Sequence, residues 1–188
     1  MVFALVLGVL AGLITTVAGM GGGLVLMLGL ATIFDPMVAL AATGPGLLVG
    51  NMHRVWMYRR RVVRSTARRY VVGAVPGAIV GGLLASVAPE DVVRISMLVM
   101  ASLATAKTVL GLRWDAPSDV MIPGGVAIGF ISATSGGGGL LAGPLLLATG
   151  LTGRSYVATA SVGAVAIHVS RLAGYGAGGV LTKDVLQL

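Results

Sequence analysis

The chain has 188 residues, 56% hydrophobic and 10% charged, with 30 glycines, no cysteine and a formal net charge of +7. Its mean hydropathy is +0.99. A soluble domain carries about a quarter charged residues, so an ordinary globular domain, a disordered chain and a nucleic-acid-binding tail are excluded, as are disulfides, zinc–thiolate centres and iron–sulfur clusters.

Residues 2–18 are apolar, Gly19-Met20-Gly21-Gly22-Gly23 interrupts, and residues 24–34 are apolar again. Met1-Val2-Phe3 offers no basic n-region, so no cleavable signal peptide is expected. Residues 37–57 form a second long stretch that runs into a basic segment. Seven of the 13 Lys and Arg lie there: Arg54, Arg59, Arg60, Arg61, Arg64, Arg68 and Arg69. Residues 70–88 and 92–111 follow, separated by Pro89-Glu90-Asp91. A polar connection from Arg113 to Asp119 leads to apolar residues 121–134. Ser135-Gly136-Gly137-Gly138-Gly139 interrupts again, residues 140–151 continue, and 155–177 make the last long stretch.

A membrane span needs about 20 apolar residues, which the uninterrupted stretches supply. A single helix through either Gly-broken segment would be roughly 50 Å long at about 1.5 Å per residue, too long for one crossing. Each is read as two shorter helices meeting at an unwound Gly turn. Such a turn must be buried in protein or line a cavity. The expected fold is all-α: one polytopic membrane helical bundle over residues 1–188.

A basic cluster invites a nucleic-acid reading. Here apolar segments flank it on both sides, and the positive-inside rule accounts for it without a partner, with anionic lipid as a minor addition. The Arg54–Arg69 loop is therefore expected in the cytoplasm of a multi-pass cell-membrane protein. The acids Asp35, Glu90, Asp91, Asp115, Asp119 and Asp184 all fall at or near ends of apolar stretches. No carboxylate relay is expected inside a span. The Gly runs lack the Gly-Lys-Ser/Thr ending of a phosphate loop, and no metal or other cofactor is expected.

The chain repeats itself at an offset of 117: Gly8 with Gly125, Gly12 with Gly129, Gly19 with Gly136, Ala41 with Ala158, Gly46 with Gly163, Arg54 with Arg171, Tyr58 with Tyr175. Gly21, Gly22 and Gly23 match Gly137, Gly138 and Gly139 after one extra residue in the first copy. Paired Gly-interrupted segments point to a transporter binding site. The first repeat is assigned to 1–112 and an incomplete second one to 121–188. The loop after Arg54 is strongly basic, whereas its counterpart at 171–188 holds only Arg171 and Lys183. Equivalent loops of opposite charge bias should face opposite sides, so the repeats are expected to be inverted, with each Gly-broken segment a hairpin. The second copy has no counterpart of the stretches between 71 and 111. Further C-terminal segments or a partner, such as a second copy of the chain, would fill that gap. The alternative to a transporter is a non-transporting membrane subunit that needs such a partner.

Two of these motifs resemble the TauE/SafE family of sulfite exporter-like permeases. They are Gly19-Met20-Gly21-Gly22-Gly23 and the run from Gly136 through Gly139 to Gly143-Pro144-Leu145. Ala42-Thr43-Gly44, Thr159-Ala160-Ser161 and Tyr58-Arg59-Arg60-Arg61 also resemble it. The sequence departs from the pattern at Leu28, where a Pro is usual, and at Gly44-Pro45. The resemblance implies a permease, not an enzyme, that moves small anions such as sulfite, sulfonates and related organosulfur compounds across the plasma membrane.

An anion carrier needs backbone N–H groups aimed at one dry spot. A broken helix supplies them at the N-terminus of its second half, where the dipole is also positive. Gly21, Gly22, Gly23, Gly137, Gly138 and Gly139 are the expected lining, against the alternative that they only let helices pack closely. Thr43, Ser135, Thr159 and Ser161 are candidate hydroxyl donors, each of which can instead bond a helix carbonyl. His168, at the repeat position of Asn51, is expected to face the interior and to contact substrate, carry a proton or be satisfied structurally. Arg171 shares its face. It either binds the anion at the mouth or, the favoured reading, snorkels to the outer interface. Gly8-x-x-x-Gly12 and Gly125-x-x-x-Gly129 read as packing motifs.

Overall fold

The computed structural model describes residues 6–13, 22–110 and 120–182, and all regular structure among them is helical. Residues 6–13 form α1. Then come α2 (Gly22–Ala31), α3 (Pro36–Tyr58), a 3₁₀ turn (Arg59–Arg61), α4 (Arg64–Val87), α5 (Glu90–Val109), α6 (Met121–Thr134), α7 (Gly139–Leu147) and α8 (Gly153–Ala177). Of these, α4 and α8 are long and apolar enough to cross a membrane by length and composition.

Local chemistry sets several boundaries. Asp35 caps α3, its Oδ1 accepting from the backbone N–H of Met37 at 2.7 Å and of Val38 at 3.3 Å. Pro36 follows at the first helical position, where its missing N–H costs nothing. At α5, Glu90 and Asp91 occupy the positive N-terminal turn, and Glu90 pairs with Arg94 one turn on. The helix expected to begin near residue 70 begins instead at Arg64. Arginine is a good helix former, and Arg64, Arg68 and Arg69 are exposed there, so α4 simply runs on past its apolar part. The basic segment is thus split over the end of α3, the 3₁₀ turn and the first turns of α4.

Glycines zip α4 to α6. A Cβ at Gly73 or Gly77 would overlap the carbonyl oxygen of Ile122 or Val126, and one at Gly81 would stand 2.7 Å from that of Phe130. From the other side, a Cβ at Gly125 would lie 2.6 Å from the Tyr70 carbonyl oxygen, and one at Gly129 would overlap that of Ala74. Between apolar helices in lipid there is no hydrophobic drive, so close backbone approach and dispersion must hold them. Gly125 and Gly129 therefore act as the packing pair their spacing suggests. A Cβ at Gly8 or Gly12 meets no described atom. The α8 helix joins α4 by the same device: a Cβ on Gly82 would be 3.0 Å from the Arg171 carbonyl oxygen, and one on Gly174 would be 2.9 Å from that of Ile79.

The order of these contacts gives direction. Residues 73, 77 and 81 meet 122, 126 and 130 in turn, so α4 and α6 run parallel. Gly163 faces Tyr70 and Gly178 faces Ser86, so α8 runs parallel to α4 as well. The α3 helix runs the other way. Its Gly44 lies against Leu172, late in α8, while Val63, just after α3, donates its backbone N–H to Thr159 Oγ1, early in α8, at 3.1 Å. The helices α3 and α8 cover stretches that the 117-residue offset pairs in the sequence. Pro36 and Gly153, which open α3 and α8, are 117 residues apart.

Val72, Val80, Leu84 and Val87 on α4 and Val92, Ile95, Leu98 and Leu103 on α5 are all exposed. An outer surface this apolar suits hydrocarbon, not water.

Gly77→Ala puts a methyl onto the Val126 carbonyl, and backbone cannot yield as a side chain can. Destabilisation of about 1–3 kcal/mol is expected, read as a lowered thermal midpoint in detergent. Gly50→Ala, where the new methyl meets nothing within 4 Å, should leave the midpoint in place.

Candidate functional site

The site is built around the gap between α6 and α7. Gly136 and Gly137 adopt φ of +70° and +65°, a left-handed conformation that side chains disfavour. At Gly136 a Cβ would in addition overlap the end of Met27. The turn folds α7 back on α6, with Gly138 against Ser132 and Leu145 against Gly124. At about 1.5 Å per residue, the 14 residues of α6 and the 9 of α7 reach roughly 21 Å and 14 Å, so neither crosses a 30 Å core alone.

Ending a helix leaves its last carbonyls without intrahelical donors. That of Ile131 still accepts from Ser135 N at 2.9 Å. The next three face polar side chains from other helices. Arg171 Nη1 donates to the Ser132 carbonyl at 3.4 Å and the Tyr175 hydroxyl to that of Ala133 at 2.5 Å, while Ser96 Oγ, whose proton goes to the Val93 carbonyl at 2.7 Å, stands 3.3 Å from that of Thr134. On the other side of the gap, no described residue accepts a hydrogen bond from the backbone N–H groups of Gly137, Gly138 and Gly139.

A cavity of about 200 Å³ lies between this gap, α3 and α8. Arg171 lines it and is only 1% exposed. The expected snorkelling is overturned: the guanidinium turns inward because the α6 carbonyls are there, with the Tyr175 hydroxyl beside it. Among the described residues its Nε and Nη2 have no partner, and neither do His168 Nδ1 or the Tyr70 hydroxyl on the same cavity. Among the described residues the one ion pair is Arg94 with Glu90, on α5, so no carboxylate balances Arg171. The free Nε–Nη2 edge is the side-on fork that binds two oxygens of an oxyanion at once.

Of the residues expected in the site, Gly23, Gly137, Gly138, Gly139, Ser161 and His168 line this cavity together. Gly22 is buried outside the lining, and Gly21 lies outside the described residues. Thr43 donates to the Leu40 carbonyl at 3.0 Å and lines a separate cleft beside α1. Ser135 donates to the Ile131 carbonyl at 2.9 Å, and Thr159 accepts from Val63. None of these three hydroxyls faces the cavity. Residue-by-residue reading missed Tyr70, Ser132, Tyr156, Asn51 and Arg54, which all line it. A signal for two of them was present, since Asn51 and Arg54 are the repeat partners of His168 and Arg171.

A family model described as "Sulfite exporter TauE/SafE" matches residues 4–188. No curated protein matches the chain, and no solved structure does.

Gly136→Ala forces a side chain into the left-handed region and should cost about 1–2 kcal/mol, seen as a lower thermal midpoint. Gly139→Ala should not. Its φ is not positive and the methyl would enter open space, so the midpoint is expected to hold or rise slightly, since Ala favours a helix over Gly by up to about 1 kcal/mol.

Proposed function

The chain belongs to the TauE/SafE sulfite exporter family and is a membrane transporter, not an enzyme; from that premise we propose that it moves small anions, sulfite, sulfonates and related organosulfur compounds, across the plasma membrane. The observation that carries this reading is Arg171, a buried cation with no carboxylate partner and a free hydrogen-bonding edge on a cavity. An uncompensated charge in a low-dielectric interior costs several kcal/mol. A bound anion offsets that cost, and a neutral or cationic solute does not.

In the proposed complex the oxyanion accepts from Arg171 Nε and Nη2, and the free N–H groups of Gly137 to Gly139 face it from the α7 N-terminus. His168 and Tyr70 complete the donors. The turn is glycine because an approaching anion must reach backbone.

The proposed topology is a multi-pass bundle of two inverted repeats, 1–112 and 121–188. It is supported by the antiparallel course of the repeat-equivalent helices α3 and α8 and by the hairpin form of α6 and α7. The arginine-rich turn then lies in the cytoplasm, as the positive-inside rule requires.

Proteoliposomes holding the full chain should take up ³⁵S-labelled sulfite. Arg171→Met should lower that uptake at least tenfold in protein that still inserts and folds. Relief of a buried unpaired charge and loss of the donor to the Ser132 carbonyl act on the thermal midpoint in opposite directions, so only a small shift is expected. Undiminished uptake by Arg171→Met would sink the assignment.

A further inference from the structure

We infer that Arg54 is a second anion-binding arginine, at the opposite end of the same cavity from Arg171. The inference rests on the transport reading above and deepens it. Three observations meet at this residue.

The first is placement. Arg54 lines the cavity that Arg171 lines, together with its helix neighbour Asn51. It sits on α3 four residues before that helix ends at Tyr58, while Arg171 sits on α8 six residues before its end at Ala177. Because α3 and α8 run antiparallel, these ends point in opposite directions, and the two arginines bracket the cavity lengthwise.

The second is register. Arg54 and Arg171 are repeat partners at an offset of 117, as are Asn51 and His168, and Gly23 and Gly139 match across the two glycine runs. All six line the one cavity. Of the seven arginines between 54 and 69, Arg54 is the one that does so. A residue needed only to orient the chain in the membrane would have no reason to share that register.

The third is the difference between the partners. Arg171 is fully buried, whereas Arg54 is half-buried, so of the two arginines Arg54 is the one a solute reaches first. In a fold of inverted repeats, the alternative state is reached by exchanging the conformations of the two copies. Arg54 therefore meets the anion first, and Arg171 meets it at depth. The ligand class is the same at both positions, a small oxyanion held by a guanidinium fork.

The test is sulfite transport measured in right-side-out and inverted membrane vesicles, giving one KM from each face. Arg54→Gln leaves six of the seven arginines in the basic segment, so the orientation signal persists. The expected result is a shift of about tenfold in the ratio of the two KM values, with the KM from the cytoplasmic face raised. Arg54→Lys keeps the charge and loses the fork, and about a threefold shift in the same direction is expected. An unchanged ratio in Arg54→Gln overturns the inference and makes Arg54 a topogenic residue. Loss of inserted protein without a change in the ratio overturns it equally. Should Arg54→Gln not insert at all, an unchanged ratio in Arg54→Lys overturns it. Absence of sulfite transport by the unaltered protein overturns the site reading itself, and is distinguished by needing no variant.

Discussion

Three carbonyl oxygens, those of Ser132, Ala133 and Thr134, lose their helical donors where α6 stops. Water would take up such groups at a protein surface. Inside an apolar bundle an unmet one costs several kcal/mol. The chain answers the first two with Arg171 and Tyr175, both drawn from α8. The C-terminal end of α6 also carries about half a negative charge, so its carbonyls both accept hydrogen bonds and stabilise the guanidinium. Half a charge does not cancel a whole one, and two of the three nitrogens of Arg171 remain without partners. The cavity lies on that unsatisfied side.

This arrangement depends on α4 as a template. Its glycines at 73, 77 and 81 bring α6 to backbone contact, and Gly82 does the same for α8. The distance between the α6 carbonyls and Arg171 is fixed by these two contacts. The Arg171–Ser132 bond is already 3.4 Å long, near the limit of a hydrogen bond. A methyl wedged into either seam would carry it past that limit. Tyr70 belongs to the same construction: its ring fills the space that a side chain at Gly163 would need, and this holds its hydroxyl on the cavity.

Much of this was legible in the sequence. The second glycine break appears in the structure as the end of α6 and the start of α7, and the Gly125–Gly129 pair as a packing seam; residues 14–21, which hold most of the first break, lie outside the described residues. Short-range hydroxyl bonds were legible too, since Thr43 and Ser135 find carbonyls three and four residues back, as mid-helix hydroxyls tend to do. The fate of Arg171 was not. Its hydrogen-bond partner is 39 residues away in the chain, and nothing local distinguishes a guanidinium that turns inward from one that snorkels outward. Only the packing of α6 and α8 on a shared helix decides it. The start of α4 was misplaced for a simpler reason. Apolar character ends near Tyr70, but helical character does not, because arginine sustains a helix in a polar setting as well as leucine does in an apolar one.

The polarity of the break decides which sign of solute it suits. An unwound helix offers two kinds of group. Its carbonyls can surround a cation, and its free N–H groups can surround an anion. Here two of the three carbonyls released by α6, those of Ser132 and Ala133, are already occupied by side-chain donors from within the protein. The N–H groups of Gly137 to Gly139 have no acceptor among the described residues. One pole of the break has been used to fix a cation in place, and the other is open. A second cation would meet a guanidinium and a positive helix end beside carbonyls that Arg171 and Tyr175 already hold. An oxyanion meets two sets of donors that lack only an acceptor. In the proposed carrier the same four-residue interruption would both build the site and favour an anion, with no ionisable group contributed by the interruption itself.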